Sequence, residues 1–424
     1  MNTADMPESS VPKLYRWELV FLLWGAFFLN QGDRQVFSAV IKLIEADLGF
    51  SGTQLGLVAT IFTICYGIFV PIAGYAGDVF RRRDVVFLSL LVFSVGTLLT
   101  GLVSGLVLLI VFRSFATGIG EAFYYPAANS LIAQYHEKSR ATAMAIHQTA
   151  NYTGVVIGGT LAGWVGATFG WRYAFLTFGV IGIVWALYFL LRIRDDRQDR
   201  TREEAQATET TEKIPVSEAL RNTMFNRTLW LLSLAFGGMV FVNIGFLTWM
   251  PTFLIEKFSL SIPRANFDAM FYHHLAAYFG VLIAARISDR LAATRGTVRL
   301  ETGMIGLFFG APFIYLMGSS GDLWLVYAAL AGFGFFRGVY DSNLFASLFD
   351  VLEPKYRATG SGLMLAFAFL IGSASPLLLG WARDHVDLDT GITLLAAVYL
   401  VSSILIFIAR QWTFHRDEIT VNEP

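Results

Sequence analysis

Two ionisable residues stand side by side in a stretch that otherwise has the composition of a membrane helix. "LNQGDRQVFSAV", residues 29–40, sets Asp33 next to Arg34, with apolar residues running from Leu19 to Leu29 and returning after Phe37. A charge at mid-bilayer costs about 2.5–3.5 kcal/mol on insertion scales, so each needs a task. Neighbours on a helix point about 100° apart, which prevents Asp33 and Arg34 from being each other's natural partner. Two further charges, Arg113 and Glu121, lie in "FRSFATGIGEAFYYPAANSL", residues 112–131. At 1.5 Å per residue, Asp33 lies roughly 13 Å and Arg113 roughly 9 Å below the outer ends of their helices. Those depths allow an Asp33–Arg113 pair, either structural or part of a working site. Arg34 is then left to face a cavity, on one stripe with Asn30 and with Phe37 or Ser38. A guanidinium is a planar fork that fits a carboxylate bidentately. Glu121 sits near the middle of its helix, one turn from Tyr125. It either titrates or stands as the fixed ion-pair partner of Arg34. With both acids ionised the two arginines are neutralised, and protonating one acid frees positive charge for an anion. That arithmetic can couple protons to an anionic substrate.

The elements that must hold these residues are helices. Of 424 residues, 55% are hydrophobic and only 15% charged, against about 25% charged in soluble domains, so we expect a polytopic membrane protein. A spanning helix needs about 20 mostly apolar residues. That ruler places twelve, at roughly 17–43, 53–77, 84–104, 107–134, 141–168, 172–192, 227–254, 266–289, 298–318, 322–350, 358–383 and 388–410. Loops after even-numbered helices hold Arg81, Arg82, Arg83, Lys138, Arg140, Arg290, Arg295, Arg299, Lys355 and Arg357. Loops after odd-numbered helices hold chiefly Lys257, Arg264 and Arg383. The positive-inside rule then puts both termini in the cytoplasm. No short apolar core with a small-residue cleavage site follows "MNTADMPESSVP", so we expect the first helix to be retained. The expected organisation is a tail at 1–16, six helices at 17–192, a charged linker at 193–226, six helices at 227–410 and a tail at 411–424. The net charge of −1 speaks against a nucleic-acid partner, and the single Cys65 forms no intrachain disulfide.

The halves resemble each other. "GIGEAFYYPAANSL" at 118–131 aligns with "GFGFFRGVYDSNLF" at 332–345, "RAT" at 140–142 with "RAT" at 357–359, and Gly163-Trp164 with Gly380-Trp381. A parallel six-plus-six repeat is an architecture of alternating-access transporters, with substrate held between the halves near the midplane.

Between helices two and three, "GYAGDVFRRR" at 74–83 sets Gly74, Asp78 and Arg82 in a glycine turn followed by an arginine cluster. This resembles the cytoplasmic signature of the major facilitator superfamily, and "ARISDR" at 285–290, with Asp289 and Arg290, is a degenerate second copy. Its glycines would let helices approach closely, and its charges would latch the cytoplasmic ends. The run "GxxEAxxYPAxxSLI", then "SRATA" and "GWRYAF" at 170–175, with the helix-one pair Asp33-Arg34, resembles the anion:cation symporter branch. That branch includes bacterial sugar-acid transporters, vesicular glutamate transporters and sialin. The resemblance implies that Arg34 grips a substrate carboxylate and that the helix-four acid couples transport to protons. Arg113 lies five residues before Gly118, where the branch usually has four. "GIGEA" also resembles the spinster branch, which moves lysolipids and sphingoid lipids; "YYPAAN" favours the anion branch.

Further candidates are less sharp. Tyr124, Tyr125, Asn151, Tyr152, Asn243, Trp249 and Asn343 are polar-tipped residues on helices that line the cavity in this fold, for substrate contact or helix packing. Arg337 and Asp341 lie four apart on helix ten and can pair on one face or take part in gating. His273 and His274 are placed near the outer end of helix eight and lack metal-ligand spacing. No phosphate-binding glycine loop ending in Lys-Ser/Thr and no HExxH occurs. We therefore expect no enzyme, no cofactor and no metal. The expectation is an all-α major facilitator fold in a bacterial inner membrane, monomeric and surrounded by lipid. It would perform proton-coupled symport of a small organic anion, a sugar acid or related carboxylate. The alternative is a spinster-like exporter of lysolipid or another amphiphile.

Overall fold

The computed structural model describes residues 13–136, 139–193, 216–292 and 295–417. The outer parts of both expected tails, the loop cation Lys138 and linker residues 194–215 lie outside them. Twelve long helical segments follow in chain order. They are α1 (Lys13–Leu48), α2 (Gly52–Val79), α3 (Arg82–Thr100), α4 (Leu106–Tyr135), α5 (140–169) and α6 (Trp171–Arg192). The second half holds α7 (Arg227–Phe258), α8 (Ile262–Ala292), α9 (Val298–Ser319), α10 (Leu323–Phe349), α11 (357–385) and α12 (Leu388–Asp417). A short helix, Val216–Met224, precedes α7 and is docked by Tyr356, whose hydroxyl donates to Glu218 and accepts from Asn222.

Local signals start these helices where the chain needs them. Ser51 and Gln54 form a reciprocal capping box on α2, and Asn226, Asp322 and Asp387 cap α7, α10 and α12. Ten of the twelve are long and apolar enough to cross a bilayer. The other two, α1 and α5, carry the polar runs "NQGDRQ" and "HQTANYT" in their middles. Polar residues inside a membrane bundle face its interior, so these two helices already point to the centre of the molecule.

Three helices contain π-helical turns, α12 at Ala409–Thr413 and two others in the first half. Residues Ile110–Ala116 of α4, including Arg113, form a π-helical turn, with the Thr117 amide and hydroxyl both donating to Phe112 O five residues back. Residues Gly154–Gly158 of α5 form a second. π-turns insert one residue into a helix and occur frequently at functional sites.

The halves meet closely at the end of the bundle remote from the termini. There α2 lies against α11 so tightly that a Cβ on Gly380 would stand 2.2 Å from Gly52 O. Asp384 of α11 caps α2, accepting from the amides of Gly52 and Thr53 at 2.8 and 2.7 Å and from the Thr53 hydroxyl. Beside it Arg383 Nη2 reaches Glu45 of α1 at 2.8 Å and Glu256 of α7 at 2.6 Å, and Lys42 Nζ lies 2.9 Å from the same two acids. Deeper along α2, Thr60 donates to Ser373 O. In the glycine signature at 74–83 a Cβ on Gly74 would meet no atom within 4 Å, whereas one on Gly77 would touch the Ala127 backbone of α4 at 3.8 Å. The arginines of the signature hold neighbouring helices, Arg82 through Gln134 of α4 and Arg83 through Leu190 O of α6. The side chain of Asp78 lies outside the described residues, and Asp289 and Arg290 are exposed at the end of α8.

Candidate functional site

Four ionisable side chains gather inside the first half. Asp33 and Arg34 come from α1, Arg113 and Glu121 from α4. Asp33, Arg113 and Glu121 are all but fully buried. Gly120, which directly precedes the acid in "GIGEA", lets α4 come close enough to α3 to bury it. A Cβ on Gly120 would stand 2.7 Å from the Phe93 amide nitrogen of α3. Ser89 of α3 donates to Gly120 O across the same contact.

The ion pairs cross between the helices. Arg34 Nε donates to Glu121 Oε2 at 2.6 Å. Arg113 Nη1 lies 3.6 Å from Asp33 Oδ2 and 3.9 Å from Glu121 Oε1, and its Nη2 donates to Arg34 O at 3.0 Å. Thr97 of α3 donates to the Asp33 carboxylate at 2.7 Å. Two rings of α2 cover the cations: Tyr66 lies 4.0 Å from the Arg34 guanidinium and Phe62 lies 4.5 Å from that of Arg113. Two arginines and two carboxylates sum to zero, and a buried charge set is tolerable only when it is paired and hydrogen-bonded in this way.

Arg34 is the most exposed of the four, its side chain 23% exposed, and Arg113 stands beside it at the same cavity wall. The cavity measures about 100 Å³, large enough for several waters. Phe62 and Tyr66 line it from the first half, and Ile244, Thr248 and Phe369 from the second. Chemically, two guanidiniums stand at the cavity wall, and that of Arg34 is held by a buried carboxylate.

The other sequence candidates fall into distinct settings. Asn30 is buried one turn before Arg34; its side-chain carbonyl accepts from Gln31 and its Nδ2 has no hydrogen-bond partner. The Tyr124 hydroxyl is committed to Leu23 O and to His147 Nε2, and Trp249 Nε1 donates to Pro376 O between α7 and α11. Tyr125 is 41% exposed, 3.5 Å from Gln148. Asn343 is buried at the break in α10, donating to Ser342. Asn151 and Tyr152 are half-buried on α5, and Asn243 on α7 leaves its Oδ1 buried without a hydrogen bond.

His273 and His274 stand elsewhere than expected. They lie about 16 Å along α8 from Ile262, roughly a third of its length and deeper than its outer end. His273 Nε2 is 3.0 Å from Arg337 Nη1, while Arg337 Nε stays 3.5 Å from Asp341. The histidine contact, the Tyr66 ring under Arg34 and the Thr97 hydroxyl on Asp33 are not readable from the sequence. Each joins residues on different helices, and no local spacing signals such a contact.

Known proteins with a similar chain agree with this architecture. The hexuronate transporter of Bacillus subtilis (strain 168) is 25% identical over 92% of this chain and 94% of its own. The "Probable galactarate/D-glucarate transporter GudP" of the same organism is 24% identical over 93% and 91%. Among solved structures, a bacterial homolog of the human lysosomal transporter spinster, inward-facing and unoccupied, superposes with a TM-score of 0.79 at 21% identity. That match covers 97% of this chain and 100% of the other. Residues 23–376 match the Major Facilitator Superfamily, and the chain is a transporter-type integral membrane protein belonging to that family.

Proposed function

We propose that the chain carries a small organic anion, a sugar acid or related monocarboxylate, together with protons, by alternating access. Arg34 binds the carboxylate, and Glu121 and Asp33 carry or gate the proton, with Arg113 holding both acids. The observation that carries this reading is the 2.6 Å bond from Arg34 to Glu121 at the wall of the cavity. In that state the cation is already occupied. A proton on Glu121 removes the competing charge, and a substrate carboxylate takes its place on the guanidinium fork. Proton binding and anion binding thereby favour each other, as linkage requires. The hexuronate and galactarate/glucarate transporters among the relatives support the substrate class.

The latch of Lys42, Glu45, Glu256 and Arg383 closes the end remote from the termini. With both termini in the cytoplasm of a bacterial inner membrane, this conformer is closed to the outside. Opening that latch and closing the other end completes the cycle.

The test is uptake of labelled glucuronate and gluconate into proteoliposomes under an imposed proton gradient. Arg34→Ala abolishes saturable uptake while the purified protein keeps its elution profile. Unaltered transport by that variant overturns the site assignment. A second reading is an amphiphile exporter, favoured by an apolar groove of about 800 Å³ along α2, α3 and α4 with Arg81 and Asp84 at one end. Lysolipids that stabilise the protein against heat, where hydrophilic acids do not, would select it.

A further inference from the structure

A threonine inside a membrane helix commonly spends its hydroxyl on its own backbone. Thr63, Thr100, Thr160 and Thr248 each donate to the carbonyl four residues back. Thr60 of α2 is buried and does otherwise. Its hydroxyl crosses to the second half and donates to Ser373 O of α11 at 2.6 Å, while the Leu377 amide of α11 donates to Thr60 Oγ1 at 3.2 Å. Ser373 O and the Leu377 amide stand four residues apart, and an uninterrupted α-helix bonds such groups to each other. A side chain of one half is thus inserted into the backbone ladder of the other.

The insertion falls where α11 is weakest. The helix is interrupted at Ser373, and Pro376 has no N–H to give to Gly372 O. A side chain that enters the ladder is one of the few causes of a sharp helix kink. The helices touch closely at this level: a Cβ on Gly56 would stand 2.3 Å from Pro376 O, and Trp249 Nε1 of α7 donates to the same carbonyl at 2.9 Å. The break also lies between cavity and latch. One turn before it, Phe369 lines the cavity with Ala59, Phe62 and Thr63 of α2. Beyond it, Arg383 and Asp384 belong to the contacts that close the outer end.

Counting bonds gives this element two settled states. With α2 against α11, Thr60 serves both Ser373 O and the Leu377 amide. When α2 withdraws, amide and carbonyl close on each other, and the Thr60 hydroxyl turns back to Gly56 O as the other threonines do. Neither state strands a buried polar group, so the exchange avoids the cost of an unmade hydrogen bond. Such an element is bistable, which is what switching between two packings requires.

We propose that Thr60 is a positioning residue of the outer gate, its hydroxyl a wedge in α11 between Ser373 and Leu377 that holds the outer end closed. This rests on alternating access with the outer end closed in this conformer and is independent of the cargo.

A cysteine in the other seam between the halves reads the gate at a distance from the wedge. Asn266 of α8 is buried and donates to Ala39 O of α1. In the purified full chain carrying Asn266→Cys and Cys65→Ala, a bulky hydrophilic maleimide therefore reacts when the outer end opens. In that background Thr60→Val speeds labelling about fivefold, and Thr60→Ser, which keeps the hydroxyl, stays within about twofold of the parent. Thr60→Ala deletes the same hydroxyl and gives the same acceleration should Thr60→Val fail to fold. Unchanged labelling in Thr60→Val or its substitute Thr60→Ala, or equal acceleration by Thr60→Ser, overturns the wedge. Arg383→Gln breaks the latch and separates the two readings. If it accelerates labelling where Thr60→Val does not, the wedge falls and the closed outer end stands. If it leaves labelling unchanged, the closed-end reading falls and the wedge with it.

Discussion

The two halves treat buried charge in opposite ways. In the first, Asp33, Arg34, Arg113 and Glu121 interlock between α1 and α4, with Thr97 and two aromatic rings completing their surroundings. In the second, Arg337 leans on a histidine and stands 3.5 Å from an acid one turn away on its own helix. The first cluster pairs its charges within itself, with Arg34 and Arg113 at the cavity wall and Glu121 Oε1 the one carboxylate oxygen among its buried atoms without a hydrogen bond. The second leaves two donors, His273 Nδ1 and Arg337 Nε, and one acceptor, Asn243 Oδ1, unsatisfied. A neutral, paired set can be switched by one proton, because every partner feels the change.

Removing one member of each set is the most direct way to break this comparison. Arg113→Gln strands Asp33 beside Glu121 without its cation, and loss of one partner of a buried pair costs about 3–5 kcal/mol. We expect it to unfold well below the wild type on heating in detergent, or to fail to accumulate. A melting temperature close to the wild-type value would show that pairing does not hold the tetrad. Glu121→Gln is isosteric and keeps Arg34 in place, so counterflow exchange persists while uptake loses its dependence on the proton gradient. Concentrative, pH-driven uptake by that variant would remove Glu121 from the coupling role. Thr97→Val takes away one hydrogen bond to a buried carboxylate and costs about 1.5–3 kcal/mol, visible as a lower melting temperature. Asp341→Asn has the smallest effect: a part-exposed pair at 3.5 Å is worth about 1 kcal/mol or less, so its melting temperature should barely move. A loss as large as that of Arg113→Gln would erase the difference between the halves.

The architecture was largely legible, because helices in a bilayer are marked by length and apolarity, and the two less apolar ones, α1 and α5, are marked by the polar runs in their middles. Depth along the helices sets Asp33 and Arg113 at one level, and there they lie 3.6 Å apart. What stayed hidden was tertiary. Arg383 counts in the sequence as a loop cation that helps set orientation, yet it joins Glu45 and Glu256 across 338 and 127 positions. Tyr66 sits in an apolar run with nothing nearby to mark it as the platform under Arg34. For Tyr124 and Trp249, residue type says that a polar tip exists but not where it points. Both tips are taken up by backbone carbonyls inside the bundle. Gly74 misleads for a related reason: a glycine permits close approach without requiring it, and here its Cβ position faces empty space.

The π-turn in α4 gives the spacing of Arg113 a different meaning. A helix side chain is aimed by its angle around the axis, and the count of residues is only a proxy for that angle. Five residues separate Arg113 from Gly118, and the wide turn over Ile110–Ala116 takes up one of them. The surplus residue is absorbed as a bulge in the coil, and the guanidinium still arrives beside Asp33 and Glu121. A motif can therefore gain a letter and keep its geometry, so long as the helix has somewhere to store the extra turn.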